Sequence, residues 1–137
     1  MDKTLNVWDL DTSRAVRTLE AHTYFGVNGV AVTPDGKRAV SASSDHTLKE
    51  WDLATGRELR ALEGHSDVVR TVAVTLDGKR AVSASDDKTL RVWDLGTGLL
   101  IATFHCEGSA RCCACADGQR IVAGDWGGRV YFLALEE

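Results

Sequence analysis

His65, Ser83 and Asp87 are the residue types a nucleophilic enzyme combines: an imidazole base, a hydroxyl nucleophile and an orienting carboxylate. Trp93 follows them. The same four types, His22, Ser41, Asp45 and Trp51, stand 42 or 43 residues earlier. Repetition argues against catalysis. A reaction centre is usually built once in a chain, whereas a structural device is built in every unit. Neither serine lies in the Gly-x-Ser-x-Gly turn that exposes a nucleophile beside an oxyanion hole. No catalytic residue is expected.

The cysteines are the second candidate for chemistry. Cys106, Cys112, Cys113 and Cys115, with His105 beside them, offer soft ligands of the kind zinc takes. Their spacing, C-x5-C-C-x-C, lacks the paired C-x2-C knuckles of common zinc sites. Aligned without a gap to the preceding unit, Cys112, Cys113 and Cys115 replace Val72, Ala73 and Thr75. Neighbours on one strand point to opposite faces and do not converge on one ion. The expectation is small buried thiols, with no metal and no cofactor. The glycines fall in turns, and none opens a phosphate-binding helix. Lys37-Arg38 and Lys79-Arg80 are too sparse to track a nucleic-acid backbone. A net charge of −4 points the same way.

The elements that position these residues come in copies. Ser83–Leu95, SASDDKTLRVWDL, returns at 41–53 as SASSDHTLKEWDL and in part at 2–10 as DKTLNVWDL. A fainter copy is DWGGRVYFL at 125–133, with Tyr131 in the tryptophan position. Trp8, Trp51, Trp93 and Tyr131 are spaced by 43, 42 and 38 residues, the period of a repeat architecture. Within one unit, RTVAVT (70–75), RAVSAS (80–85), the run 89–95 and the run 99–104 read as four short strands. They are separated by turns at Asp77-Gly78, Asp86-Asp87-Lys88 and Gly96-Thr97-Gly98, where Asp and Gly tolerate positive φ. Four antiparallel strands in about 40 residues make one blade of a β-propeller. Asp35-Gly36, Thr55-Gly56 and Asp117-Gly118 mark the equivalent turns elsewhere. The strands expected are two, four, four and three in successive units: a half blade (1–20), blades at 21–63 and 64–105, and an incomplete last blade (106–137).

The pairs Trp8-Asp9, Trp51-Asp52 and Trp93-Asp94, with Gly64-His65 and the variant Ala21-His22, resemble the WD40 repeat family along essentially the whole chain. The ending GDWGGRVYFLALEE resembles the C-terminal blade of WD40 arrays attached to bacterial signalling NTPases. The resemblance implies an all-β fold, a partial WD40 β-propeller of four-stranded blades forming an open array. It implies a structural network in which Asp holds His, His meets Ser, and Ser reaches the Trp N–H. That network would comprise His22, Ser41, Asp45 and Trp51 in one blade and His65, Ser83, Asp87 and Trp93 in the next, with Asp2 and Trp8 remaining from the first. It further implies non-catalytic binding of a protein or peptide on one rim. The matching rim positions are Gly26, Asn28, Ser44, Val68, Arg70 and Asp86. Tyr24 and Phe25, in a connection one residue longer than its copy, either add aromatic contact surface or pack between blades, and Trp126, in the turn where other units have Lys88, His46 and Lys3, adds aromatic contact surface. The alternatives are a purely architectural, ring-closing segment and a cysteine-based metal site.

Known rings of the family most often have seven blades, and this chain encodes just over three. The expectation is either the C-terminal part of a longer ring or a unit whose copies assemble one. An open array exposes an apolar face at each end. The isolated chain is therefore expected to self-associate or to be marginally folded. MDKTLNVWDL lacks the basic and apolar regions of a signal peptide, and no apolar run is long enough to span a bilayer. Reduced thiols and a cytoplasmic location are expected, with neither nucleic acid nor membrane as partner.

Overall fold

In the computed structural model, residues 4–9, 14–20, 26–115 and 120–134 are described, the first two segments as backbone only. Every regular element among them is a strand. β1 (Thr4–Asp9) pairs with β2 (Arg14–Glu20) in a two-stranded sheet. β3 (Val27–Val32), β4 (Arg38–Ser43), β5 (Leu48–Asp52) and β6 (Glu58–Leu62) form a four-stranded sheet in chain order. β7 (Val69–Val74), β8 (Arg80–Ser85), β9 (Thr89–Asp94) and β10 (Leu100–His105) form a second. β11 (Ala110–Cys115), β12 (Arg120–Asp125) and β13 (Val130–Ala134) form a three-stranded last sheet. All pairings are antiparallel. The thirteen strands fall where the repeats put them, with ends that differ by a residue or so.

Local chemistry sets the turns. Gly36 and Gly78 adopt φ of 73° and 72° between the first two strands of each full sheet, a region open to glycine at little steric cost. Thr33 and Thr75 lock those turns by donating to Asp35 and Asp77 at 2.6 Å. The hairpins between the second and third strands place a non-glycine residue at positive φ, His46 at 76° and Lys88 at 70°. Asp45 and Asp87 hold them by accepting from the backbone N–H of Thr47 and Thr89 at 2.9 Å.

The sheets stack face to face. Trp93, Ala81 and Val72 pack against Val40, Ala42, Leu48 and Leu62 of the sheet before. Val82 and Val92 pack on Ile121, Leu133 and Cys113 of the sheet after. Each Val, Leu or Ile side chain among them contributes about 1.5–3 kcal/mol when fully removed from water. Strand β8 is covered on both sides and is buried from Ala81 to Ser85. The last sheet is covered on one side only. Ile121 and Ala123 are buried, whereas Val130 and Phe132, on the other side, are 60% and 78% exposed.

One core position is charged. Glu50 occupies the place of Val92 and is fully buried. Arg38 Nη1 donates to one of its oxygens at 3.0 Å, and Arg60 Nε lies 3.1 Å from the other. Both arginines keep their guanidinium ends partly in water, so the carboxylate is compensated without full burial of its partners.

Candidate functional site

The His65 cluster is a closed hydrogen-bonded chain. Asp87 Oδ2 lies 2.8 Å from His65 Nδ1, His65 Nε2 lies 2.6 Å from Ser83 Oγ, and Trp93 Nε1 donates to that hydroxyl at 2.9 Å. Asp87 also accepts from the backbone N–H of Ser66 at 3.0 Å and from the Thr89 hydroxyl. Burial alone would raise its pKa, but these donors prevail and hold it at about 2. His65 is displaced below 6.5 because burial disfavours the imidazolium, a cost Asp87 offsets only in part. The hydroxyl is sealed between imidazole and indole at 0% exposure for Ser83, out of reach of a substrate. In the preceding sheet Trp51 Nε1 donates to Ser41 at 3.0 Å. His22, Asp2 and the side chain of Trp8 lie outside the described residues, as do Tyr24, Phe25 and the Asp117-Gly118 turn.

The last sheet corrects two sequence assignments. Tyr131 does not stand in the tryptophan position. Ala81 faces Trp93 across the β8–β9 ladder, and the equivalent Ile121 faces Leu133. Tyr131 pairs with Ala123 and so matches Arg91. Trp126 shifts likewise. It matches Asp86 and Ser44 rather than Lys88 and His46, since its backbone N–H donates to Ser109 O at 2.8 Å, as Asp86 does to Val68 O and Ser44 to Gly26 O. Gly128, at φ 85°, takes the place of Lys88. The physical reason is the turn: the positive-φ residue fixes the hairpin, and glycine serves that need better than resemblance around an aromatic does.

With the register corrected, Ala123 replaces Ser83, Gly127 replaces Asp87 and Leu133 replaces Trp93, and the loop 106–109 contains no histidine. His105 is the exposed last residue of β10. Another linkage joins loop to hairpin. Tyr131 donates its hydroxyl to Asp125 at 2.9 Å and accepts the Glu107 backbone N–H at 3.1 Å.

The cysteines shift as well, by one residue. The connection between β11 and β12 is shorter by one than that between β7 and β8, so the gap-free alignment displaces the inner strand, and Cys112, Cys113 and Cys115 match Thr71, Val72 and Val74. Cys113 packs into the core, and burial pushes its thiol up to about 12. Cys115 is raised for the same reason. Cys112 is exposed, against the expectation of burial, because it lies on the uncovered side of the sheet. Among the described residues no three His, Cys, Asp or Glu side chains gather as a metal site.

The rim at the hairpin end is where the sheets differ in chemistry. Each innermost strand carries a β-bulge near its start, and the unpaired residue is Asn28, Arg70 or Arg111. A bulge re-aims one side chain; here it points at the hairpin of the same sheet. Asn28 Nδ2 donates to Ser44 Oγ at 3.0 Å. Arg70 grips Asp86 with Nε at 3.0 Å from both oxygens and Nη2 at 2.6 Å. The guanidinium of Arg111 lies 4.6 Å from the Trp126 ring centroid, a cation–π contact. Gly26 and Val68 contribute through their carbonyls, which accept from the Ser43 and Ser85 hydroxyls at 3.1 and 2.9 Å. Asn28, Arg70, Arg111, Asp125 and Trp126 line an open cleft of about 540 Å³, and Trp126 is 74% exposed. Arg111 was absent from the sequence-derived residues. Its signal was its match to Arg70 and Asn28, hidden by the shortened connection.

Repeated four-stranded antiparallel sheets, stacked through a Trp–Ser–His–Asp linkage, define a segment of a β-propeller. The comparisons agree with the geometry. Residues 65–135, just over half the chain, match the family described as TEP-1 C-terminal beta-propeller. Residues 13–52 match the WD domain, G-beta repeat. The chain belongs to this β-propeller family, with repeats of the WD40 kind. A search of curated proteins found no match.

Proposed function

We propose that the chain is a non-catalytic scaffold that binds a protein or peptide on the rim formed by Asn28, Ser44, Arg70, Asp86, Arg111 and Trp126. The observation that carries this reading is the row of three bulge–hairpin pairs. The fold repeats the bulge, while the paired chemistry changes from amide–hydroxyl to guanidinium–carboxylate to guanidinium–indole. Constant geometry with variable side chains suits recognition. Exposed Trp and Arg are the residue types that dominate binding energy at interfaces. The opposite rim has a cleft of about 450 Å³ among Asp35, Asp77 and Asp94. Those carboxylates are occupied in their own turns, as Asp35 is by Lys37 N–H at 2.9 Å and Asp94 by Thr97 at 2.6 Å. A cytoplasmic setting with reduced thiols belongs to the same proposal.

The test is to select peptides on the purified chain and map the bound state by hydrogen exchange. Protection should centre on the Arg70–Trp126 rim. Arg70→Ala and Trp126→Ala should each weaken binding about tenfold or more, as interface anchors do, with the melting transition retained. A footprint wholly around Asp35-Gly36 and Asp77-Gly78 would overturn the assignment.

A further inference from the structure

The two rim arginines are not equally engaged. Arg70 spends its fork on Asp86. Arg111 does not: its Nε lies 3.5 Å from Asp86 Oδ1, and among the described residues none of its nitrogens makes a hydrogen bond. Asp86 has little more to offer, with both oxygens already taken by Arg70. The other carboxylate of the cleft, Asp125, accepts from Tyr131 at 2.9 Å and from Arg129 N at 3.0 Å, and its side chain is 0% exposed. Stacking on Trp126 fixes the plane of the Arg111 guanidinium; its Nε is buried, so the Nη end is what it can offer a partner. A partly exposed guanidinium whose Nη end makes no hydrogen bond among the described residues, beside an open aromatic face, is a receptor for a planar or tetrahedral oxyanion.

We propose that the Arg111–Trp126 pair selects partners carrying an oxyanion side chain, a carboxylate or a phosphate, with an apolar neighbour laid on the indole. This rests on the scaffold reading and adds the chemistry of the bound segment. A bidentate pair at Arg111 would supply the orientation.

The experiment uses the full chain and pools of short end-capped peptides with randomised flanks and one fixed central residue: Glu, phosphoserine, Gln or Lys. Binding is read by fluorescence polarisation, and the bound region by hydrogen exchange. The Glu or phosphoserine pool should bind about tenfold tighter than the Gln pool, as loss of a charge-assisted bidentate contact implies. The stronger of the two acidic pools identifies the source of the oxyanion. Arg111→Gln should abolish the preference. Arg111→Lys, which keeps the charge and loses the fork, should reduce it. Thermal melts of both variants should overlay that of the parent chain. If the Gln or Lys pool binds as well as the acidic pools, or Arg111→Gln keeps the preference, the inference fails; protection on this rim would then leave the scaffold reading standing. If no pool protects the rim, both fail.

Discussion

The second full sheet and the last sheet solve one assembly problem in different ways. In β7–β10, a loop is tied to the next hairpin by Asp87, His65, Ser83 and Trp93, all sealed in the core. In β11–β13, a Tyr131 hydroxyl and the Asp125 carboxylate make the tie, and Leu133 fills the tryptophan position. Both sheets keep the bulge and the hairpin above it. The internal linkage is thus replaceable, whereas the rim geometry persists through its replacement. A backbone device that persists while its side chains vary is the reason the proposed binding surface is placed on the rim.

The largest contrast is in thiol reactivity within the last sheet. Cys112 is exposed and Cys113 is held up to about 12 by burial. Maleimide at mildly alkaline pH should modify Cys112 orders of magnitude faster than Cys113, because only the thiolate reacts. Peptide mapping by mass spectrometry reads the difference. Equal rates would show that the two sides of β11 are not distinct.

Stability should separate the two linkages next. Trp93→Ala empties a fully buried site and should cost about 3–5 kcal/mol. Leu133→Ala, at the half-buried equivalent, should cost no more than about 2 kcal/mol. Urea unfolding compares them, and equal costs would remove the distinction between covered and uncovered sheets.

Asp87→Ala strands the imidazole and the Ser66 N–H and should cost about 1–3 kcal/mol. Tyr131→Phe should cost less, since its hydroxyl bridge lies nearer water. Acid probes the same group. His65 has a folded pKa below 6.5, so the unfolded chain takes up its proton first. That stability is complete above pH 6.5 and is lost as the pH falls from there. The Asp87 contribution is lost only as the pH drops through 3.8 toward about 2. Urea midpoints against pH should show both steps, and His65→Gln should remove the upper one. The smallest effect is expected at the rim, where Trp126→Ala should leave stability within about 0.5 kcal/mol.

The fold was legible because hydrophobic alternation, Asp-Gly turns and the repeat agree with one another. The His65 linkage was legible through the resemblance to WD40 repeats, which implies it wherever the His, Ser, Asp and Trp recur. Three features were not. A β11–β12 connection one residue shorter than its copy displaced the gap-free alignment of the inner strand, which hid Arg111. The weak last repeat drew its alignment from aromatic resemblance, while its register is set by Gly128 at positive φ. Glu50 sits in a hydrophobic stripe, and only the approach of Arg38 and Arg60 from separate strands makes its burial tolerable.

The most direct test of the rim as the working surface is a hydrogen-exchange difference map of the chain with a selected peptide bound. Protection at the starts of β3, β7 and β11 and in the 44–46, 86–88 and 126–128 hairpins is the result expected. Protection confined to the 34–37 and 76–79 turns would contradict it.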